Sequence, residues 1–93
     1  MHKFVVERQI PGAGKMSLAD LQTVARKSVA VLASLGAEIQ WVESFVTGDK
    51  IYCIYLASDE DMIREHGRLT SIPVSSVTQV SRVIDPTIAE ARA

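Results

Sequence analysis

Residues 38–57, EIQWVESFVTGDKIYCIYLA, constrain the fold most strongly because they predict a β-hairpin. Two runs rich in β-branched and aromatic residues flank a Gly-Asp pair, and such a pair suits a two-residue turn between antiparallel strands. This turn pairs Thr47 with Lys50, which places Ser44 opposite Cys53 and Val42 opposite Tyr55. One face of the hairpin therefore carries Ser44, Cys53 and Tyr55.

The flanking segments predict two helices and two more strands. KFVVERQI is typical of a strand, and the Pro-Gly-Ala-Gly that follows it is typical of a turn. Ser17 is a good N-cap for a helix that ends at Gly36, and Ser58 is the expected cap of a second helix over residues 59–69. VTQVSRVI predicts the last strand. The order β-α-β-β-α-β indicates an α+β ferredoxin-like fold, a four-stranded antiparallel sheet with both helices on one face.

The predicted domain is single and spans residues 1–93, with residues 86–93 as a loose tail or frayed helical turn. Ten Lys and Arg residues against eleven Asp and Glu residues give a net charge of −1. This balance disfavours binding to nucleic acid or to an anionic membrane. The single cysteine cannot form an internal disulfide, and the sequence lacks a signal peptide pattern and a transmembrane run. We therefore expect a cytoplasmic protein.

The hairpin face opposite Cys53 is also apolar, and two helices can cover only one side of the sheet. A second copy of the chain is the economical cover, so we predict a homodimer; the alternative is an exposed sheet with scattered apolar residues. Glu43 lies on this face and is expected to pair with Arg8 or Arg82 of either subunit, because an unpaired buried carboxylate is costly. The predicted interface residues are Trp41, Phe45, Tyr52 and Leu56, with Ile54 beside them.

Cys53 and His66 have three interpretations. His66 shares a helical stripe with Met62, Ile63 and Leu69, so it is expected to face inward at a height similar to that of Cys53. The first interpretation is a core thiol beside a hydrogen-bonded histidine. The second is a divalent metal site, since imidazole with thiolate or carboxylate suits nickel, copper or zinc. The third is a thiolate nucleophile activated by His66.

The stretch IQWVESFVTGDKIYCIYLASDEDMIREHGRL, with the opening KFVVERQIPGAG and the closing VIDP, resembles a small bacterial ferredoxin-like family described as nickel-binding. The resemblance covers nearly the whole chain. It implies a homodimer that binds nickel, with a part in metal sequestration and not in catalysis. It also places Glu65 and His66 in a matching motif, while the segment after His66 is less glycine-rich than the resemblance implies.

The leading prediction is therefore a homodimer that binds nickel or another divalent metal, with His66 as a ligand and Cys53 or Glu65 assisting. The rival prediction is a small dimeric α+β barrel enzyme or organic-ligand binder, in which Ser44, Tyr55 and His66 supply polar contacts in the cleft between sheet and helices. A binding protein is favoured over an enzyme, because the sequence holds no H-E-x-x-H, C-x-x-C or G-x-S-x-G motif.

Overall fold

The computed structural model of this protein describes residues 1–92; Ala93, which belongs to the predicted domain and tail, lies outside the described residues. The strands and helices follow the predicted order. They are β1 (His2–Gln9), α1 (Leu18–Leu35), β2 (Ile39–Val46), β3 (Lys50–Ala57), α2 (Glu60–Thr70) and β4 (Ser76–Gln79). Two short 3-10 helices are Ala13–Lys15 and Pro86–Glu90.

The four strands form one antiparallel sheet in the order β2-β3-β1-β4, which confirms the predicted ferredoxin-like fold. The two central strands, β1 and β3, send alternate side chains into the core. Ile63 of α2 is fully buried in this core, and Leu32 and Leu35 of α1 pack against it. The core residues from the sheet include Phe4, Val6, Cys53 and Tyr55. We call this the inner face of the sheet and the opposite side the outer face.

Capping residues explain where each helix begins and where α1 ends. Ser17 accepts a hydrogen bond from the Asp20 backbone N–H, and the Asp20 carboxylate accepts one from the Ser17 backbone N–H, so α1 begins at a capping box. Gly36, with φ of 85°, ends α1 as predicted. The predicted cap of α2 is wrong by one residue: Asp59 and not Ser58 accepts from the Met62 backbone N–H, at 3.0 Å.

The hairpin register is confirmed near its turn and wrong further along β2. Thr47 N–H donates to the Lys50 carbonyl at 2.8 Å, and Ser44 lies opposite Cys53. Beyond this point the register shifts between Trp41 and Glu43, so Trp41 and not Val42 lies opposite Tyr55. An extra residue in one strand shifts the alternation of side chains, and Trp41 consequently belongs to the inner face. Its predicted position on the outer face is therefore wrong.

The last strand is shorter than the predicted residues 77–84. β4 ends at Gln79, and one further backbone hydrogen bond joins the Val80 N–H to the Lys3 carbonyl at 2.8 Å. Asp85 caps the short helix that follows. Val83, Ile84 and Ile88 are 68%, 71% and 57% exposed, so this segment adds little to the core.

Among residues 1–92, no helix is both long enough and apolar enough to cross a lipid bilayer.

Candidate functional site

A cavity of about 230 Å³ lies between α1 and the inner face of the sheet. Both residues predicted to contact an organic ligand, Ser44 and Tyr55, line it, and so does Cys53. The apolar part of the lining consists of Leu21, Val24, Ala25, Trp41, Val46, Ile51 and Ile72. A mostly apolar hollow with a few polar groups is the usual form of a small-molecule site.

Arg8 supplies the charged side chain of this lining. It follows Phe4 and Val6 on the inner face of β1 and is only 2% exposed. Its guanidinium donates to the carbonyls of Ile72 and Pro73 and to the Tyr55 hydroxyl, each at 3.2 Å. Within residues 1–92, no carboxylate lies within 4.0 Å of this guanidinium. Arg8 therefore does not pair with Glu43 of its own chain.

His66 is fully buried between the helices and the sheet. Its Nε2 lies 3.0 Å from the Ser28 hydroxyl of α1, while Nδ1 is buried without a hydrogen-bond partner in the described chain. Burial lowers the pKa of His66 below its ordinary value of 6.5, and the positive charge of Arg8 lowers the pKa further. The imidazole is therefore neutral at physiological pH.

Tyr55 connects the buried side chains of Arg8 and His66. Its ring centroid lies 5.6 Å from that of His66, and its hydroxyl accepts the hydrogen bond from Arg8. Burial raises the pKa of Tyr55, and the neighbouring Cys53 raises the pKa further, while Arg8 opposes both effects. Tyr55 thus keeps its proton near neutral pH and acts as a neutral hydrogen-bonding group.

The structure does not bring the predicted metal ligands together. Glu65 lies on the α2 surface, where it accepts from Arg68 Nε at 2.9 Å, and this contact lowers the pKa of its carboxyl. Cys53 is buried, and His66 is hydrogen-bonded to Ser28 and not to the thiol. In the described part of the chain, no three His, Cys, Asp or Glu side chains are grouped so that they could hold a metal ion.

The partnerless Nδ1 of His66 is chemically suited to a metal, because neutral imidazole is a common ligand. A single donor is nevertheless insufficient, and residues 1–92 of one chain do not fit a closed nickel site. The geometry favours the first interpretation of Cys53 and His66, a core thiol near a hydrogen-bonded histidine. The nucleophile interpretation lacks the required contact between the two side chains.

Arg8 and Ser28 were not predicted as residues of the site. The alternation Phe4, Val6, Arg8 offered a signal for Arg8, because it places the guanidinium on the inner face. Ser28 shares a helical face with Leu21, Ala25 and Leu32, which is also visible in the sequence. Its contact with His66 joins two helices that are distant in sequence, and no local pattern predicts such a contact.

The outer face carries a polar cluster beside its apolar residues. Lys50 Nζ lies 2.8 Å from Glu7 Oε1, and the Tyr52 hydroxyl donates to the same oxygen at 3.3 Å. Lys50 lowers the pKa of Glu7, and Ser76 adds a hydrogen bond at 3.4 Å. Tyr52, a predicted interface residue, is therefore held in place by polar contacts within one chain.

Residues 4–80 match the protein family described as "Nickel responsive protein SCO4226-like". The chain belongs to this family. The membership confirms the resemblance seen in the sequence to a small nickel-associated family, although a response to nickel in the family's description does not show that this chain binds the metal.

The fold is similar to that in the crystal structure of SCO4226 from Streptomyces coelicolor A3(2), with a TM-score of 0.75. The similarity covers 88% of this chain and 99% of the other, at 10% sequence identity, and it therefore shows the shared fold alone. No curated protein matches this chain.

Proposed function

We propose that this protein is a nickel-responsive binding protein that acts as a homodimer. The observation that carries the proposal is membership of the SCO4226-like nickel-responsive family over residues 4–80.

The outer face of the sheet supports the homodimer. The helices pack on the inner face, while Phe45 remains 52% exposed on the outer face and lies opposite Tyr52. Ile54 and Leu56 of β3 are half-buried on the same face. A second copy of this face would remove these apolar side chains from water at both surfaces.

Nickel binding and dimerisation should be linked. A tight transition-metal site needs several donors, and the described residues of one chain offer no group of three. We therefore propose that nickel is held by exposed donors from two copies. His2 is the exposed imidazole of the described chain, whereas His66 has no exposed surface.

Phe45→Glu tests the assembly, because it places a carboxylate on the outer face without removing a buried side chain. Val29→Glu is the matched control, since Val29 is 55% exposed but lies on α1. In sedimentation velocity at micromolar concentration, we expect wild type and Val29→Glu to be dimers and Phe45→Glu to be a monomer. A monomeric wild type, or a dimeric Phe45→Glu, would overturn the proposed interface.

Calorimetric titration with nickel tests the metal proposal on the same proteins. We expect micromolar binding by wild type and Val29→Glu and at least about tenfold weaker binding by monomeric Phe45→Glu. His2→Ala should weaken binding, while His66→Gln should not. Unchanged affinity in monomeric Phe45→Glu would place the site within one chain. A loss confined to His66→Gln would restore the buried histidine as a ligand, and no binding by wild type would remove the nickel proposal.

A second candidate function is the binding of a small organic molecule between sheet and helices. The specific observation in its favour is the cavity beside Ser44 and Tyr55. This candidate does not compete with the first for space, because the cavity lies on the inner face and the proposed dimer contact on the outer face. Titration of the cavity with small organic probes tests it.

A further inference from the structure

The cavity contains an unusual charge. Arg8 is 2% exposed and is the charged residue of the cavity lining, and no carboxylate of residues 1–92 pairs with it. Burying an ion is costly unless an opposite charge or a full set of hydrogen bonds compensates it. Arg8 has only partial compensation, because two carbonyls and one hydroxyl occupy three of the five N–H donors of a guanidinium.

A neutral donor lies in the same lining. Ser44 Oγ accepts the hydrogen bond from Trp41 Nε1 at 2.9 Å, which leaves the serine's own O–H available to donate. Ser28, Ser44, Cys53 and Tyr55 are the uncharged polar or thiol-bearing residues of the lining, which includes no Asp or Glu among the described residues. The electrostatic character of the cavity therefore favours a ligand group that is anionic and accepts hydrogen bonds.

The apolar part of the lining and the cavity volume restrict the chemistry and the size of the rest of the ligand. Leu21, Val24, Ile51 and Ile72 present an apolar surface that cannot satisfy further polar groups. The volume of about 230 Å³ is small for a nucleotide, but an apolar cavity of about 150 Å³ is enough to hold benzene. A single ring or short aliphatic chain bearing one acidic group fits both the size and the lining.

We infer that the cavity binds a small monocarboxylic acid with an apolar body, whose carboxylate pairs with Arg8 and accepts a hydrogen bond from Ser44. A planar guanidinium forms two parallel hydrogen bonds with a carboxylate, so this pairing supplies both charge and orientation. The inference rests on the second candidate function, the binding of an organic molecule in this cavity.

Titrations with benzoate, benzyl alcohol and inorganic phosphate test this inference. Trp41 is the only tryptophan of the chain and lines the cavity, so its fluorescence reports on occupancy, with calorimetry as a second readout. We expect benzoate to bind wild type at least about tenfold more tightly than benzyl alcohol, and phosphate not to bind. Equal binding of acid and alcohol would overturn the carboxylate inference while leaving the organic cavity intact. Binding of phosphate as tight as that of benzoate would remove the requirement for an apolar body, and no response to any probe would overturn both proposals.

Two variants locate the binding. Ala25→Leu fills the cavity from α1 and should abolish benzoate binding, whereas Ala33→Leu, on an exposed position of the same helix, should leave it unchanged. Ser44→Ala should weaken benzoate binding several-fold and leave benzyl alcohol binding within about twofold. Benzoate binding that survives Ala25→Leu would place the acid elsewhere on the protein and overturn the inference. The comparison of benzoate with benzyl alcohol in Ser44→Ala leaves the buried Arg8 in place, so it avoids a variant that would disturb the fold.

Discussion

The two helices pack against the same sheet in different ways. α1 has 18 residues, yet Ser28 is its one buried residue, and Leu18 and Val29 are 73% and 55% exposed. α2 has 11 residues and buries four of them, including Ile63 and His66. The cavity lies beneath α1. The comparison indicates that α2 is the principal packing element, whereas looser packing by α1 leaves space for a ligand.

Gly67 allows close packing between α2 and the segment that follows it. A Cβ built on Gly67 would lie 2.6 Å from Val74 Cγ2, which is far below van der Waals contact. The absence of a side chain at this position lets the segment after the helix approach α2. No corresponding glycine lies within α1, whose one neighbouring glycine, Gly36, ends the helix.

The largest expected effect is that of Ile63→Ala in α2. Ile63 has no exposed surface, so its truncation should remove apolar burial and leave a void, lowering the free energy of unfolding by about 2–5 kcal/mol. Chemical denaturation monitored by circular dichroism measures this change. A loss below about 1 kcal/mol would show that α2 is no better packed than α1.

Gly67→Ala should lower the free energy of unfolding by about 1–3 kcal/mol, because the new methyl group overlaps Val74 and outweighs the better helix propensity of alanine. The double variant Gly67→Ala/Val74→Ala is the control, since it removes the overlapping side chain. Denaturation curves of both single variants and the double variant form a cycle. Additive effects would contradict the overlap as the cause.

The order of the helices and strands could be predicted from the sequence, but only part of the site could. The prediction failed in β2. Alternation from the predicted turn placed Ser44 opposite Cys53 correctly, but the irregularity between Trp41 and Glu43 moved Trp41 to the inner face. Nothing in the local composition marks that irregularity. The inward position of His66 was predictable from helical spacing, whereas its partner Ser28 depends on how two helices meet.

The pH dependence of folding stability should differ between the buried His66 of α2 and the carboxyls on the protein surface. The lowered pKa of His66 in the folded state means that, below its ordinary value of 6.5, the unfolded chain takes up a proton that the folded chain does not. Stability should therefore be unaffected by this group above pH 6.5 and should fall as the pH drops below that value, until the folded pKa is reached. The slope cannot exceed one proton, about 1.4 kcal/mol per pH unit.

Denaturation at pH 7.5 and at pH 5.5 measures this effect, with His66→Gln as the control that should lose the dependence in this window. The surface carboxyls of Glu7, Glu65 and Asp85, of which the first two are half-buried, also have lowered pKa values in the folded protein. Their contributions are lost only at lower pH, as the carboxyls become protonated. An identical slope in wild type and His66→Gln would contradict a neutral, buried His66.

The smallest expected effect is that of Val24→Ala in α1, and it tests whether the cavity exists in solution. Val24 is half-buried and lines the cavity, so its truncation enlarges an existing cavity and removes only part of a normal set of contacts. The higher helix propensity of alanine offsets some of the loss, and the free energy of unfolding should fall by less than about 1 kcal/mol. A cost similar to that of Ile63→Ala would mean that α1 settles closer to the sheet and that Val24 is enclosed by neighbours. The space beneath α1 would then be too small for the proposed acid, so denaturation of this variant checks the packing of α1 without any ligand.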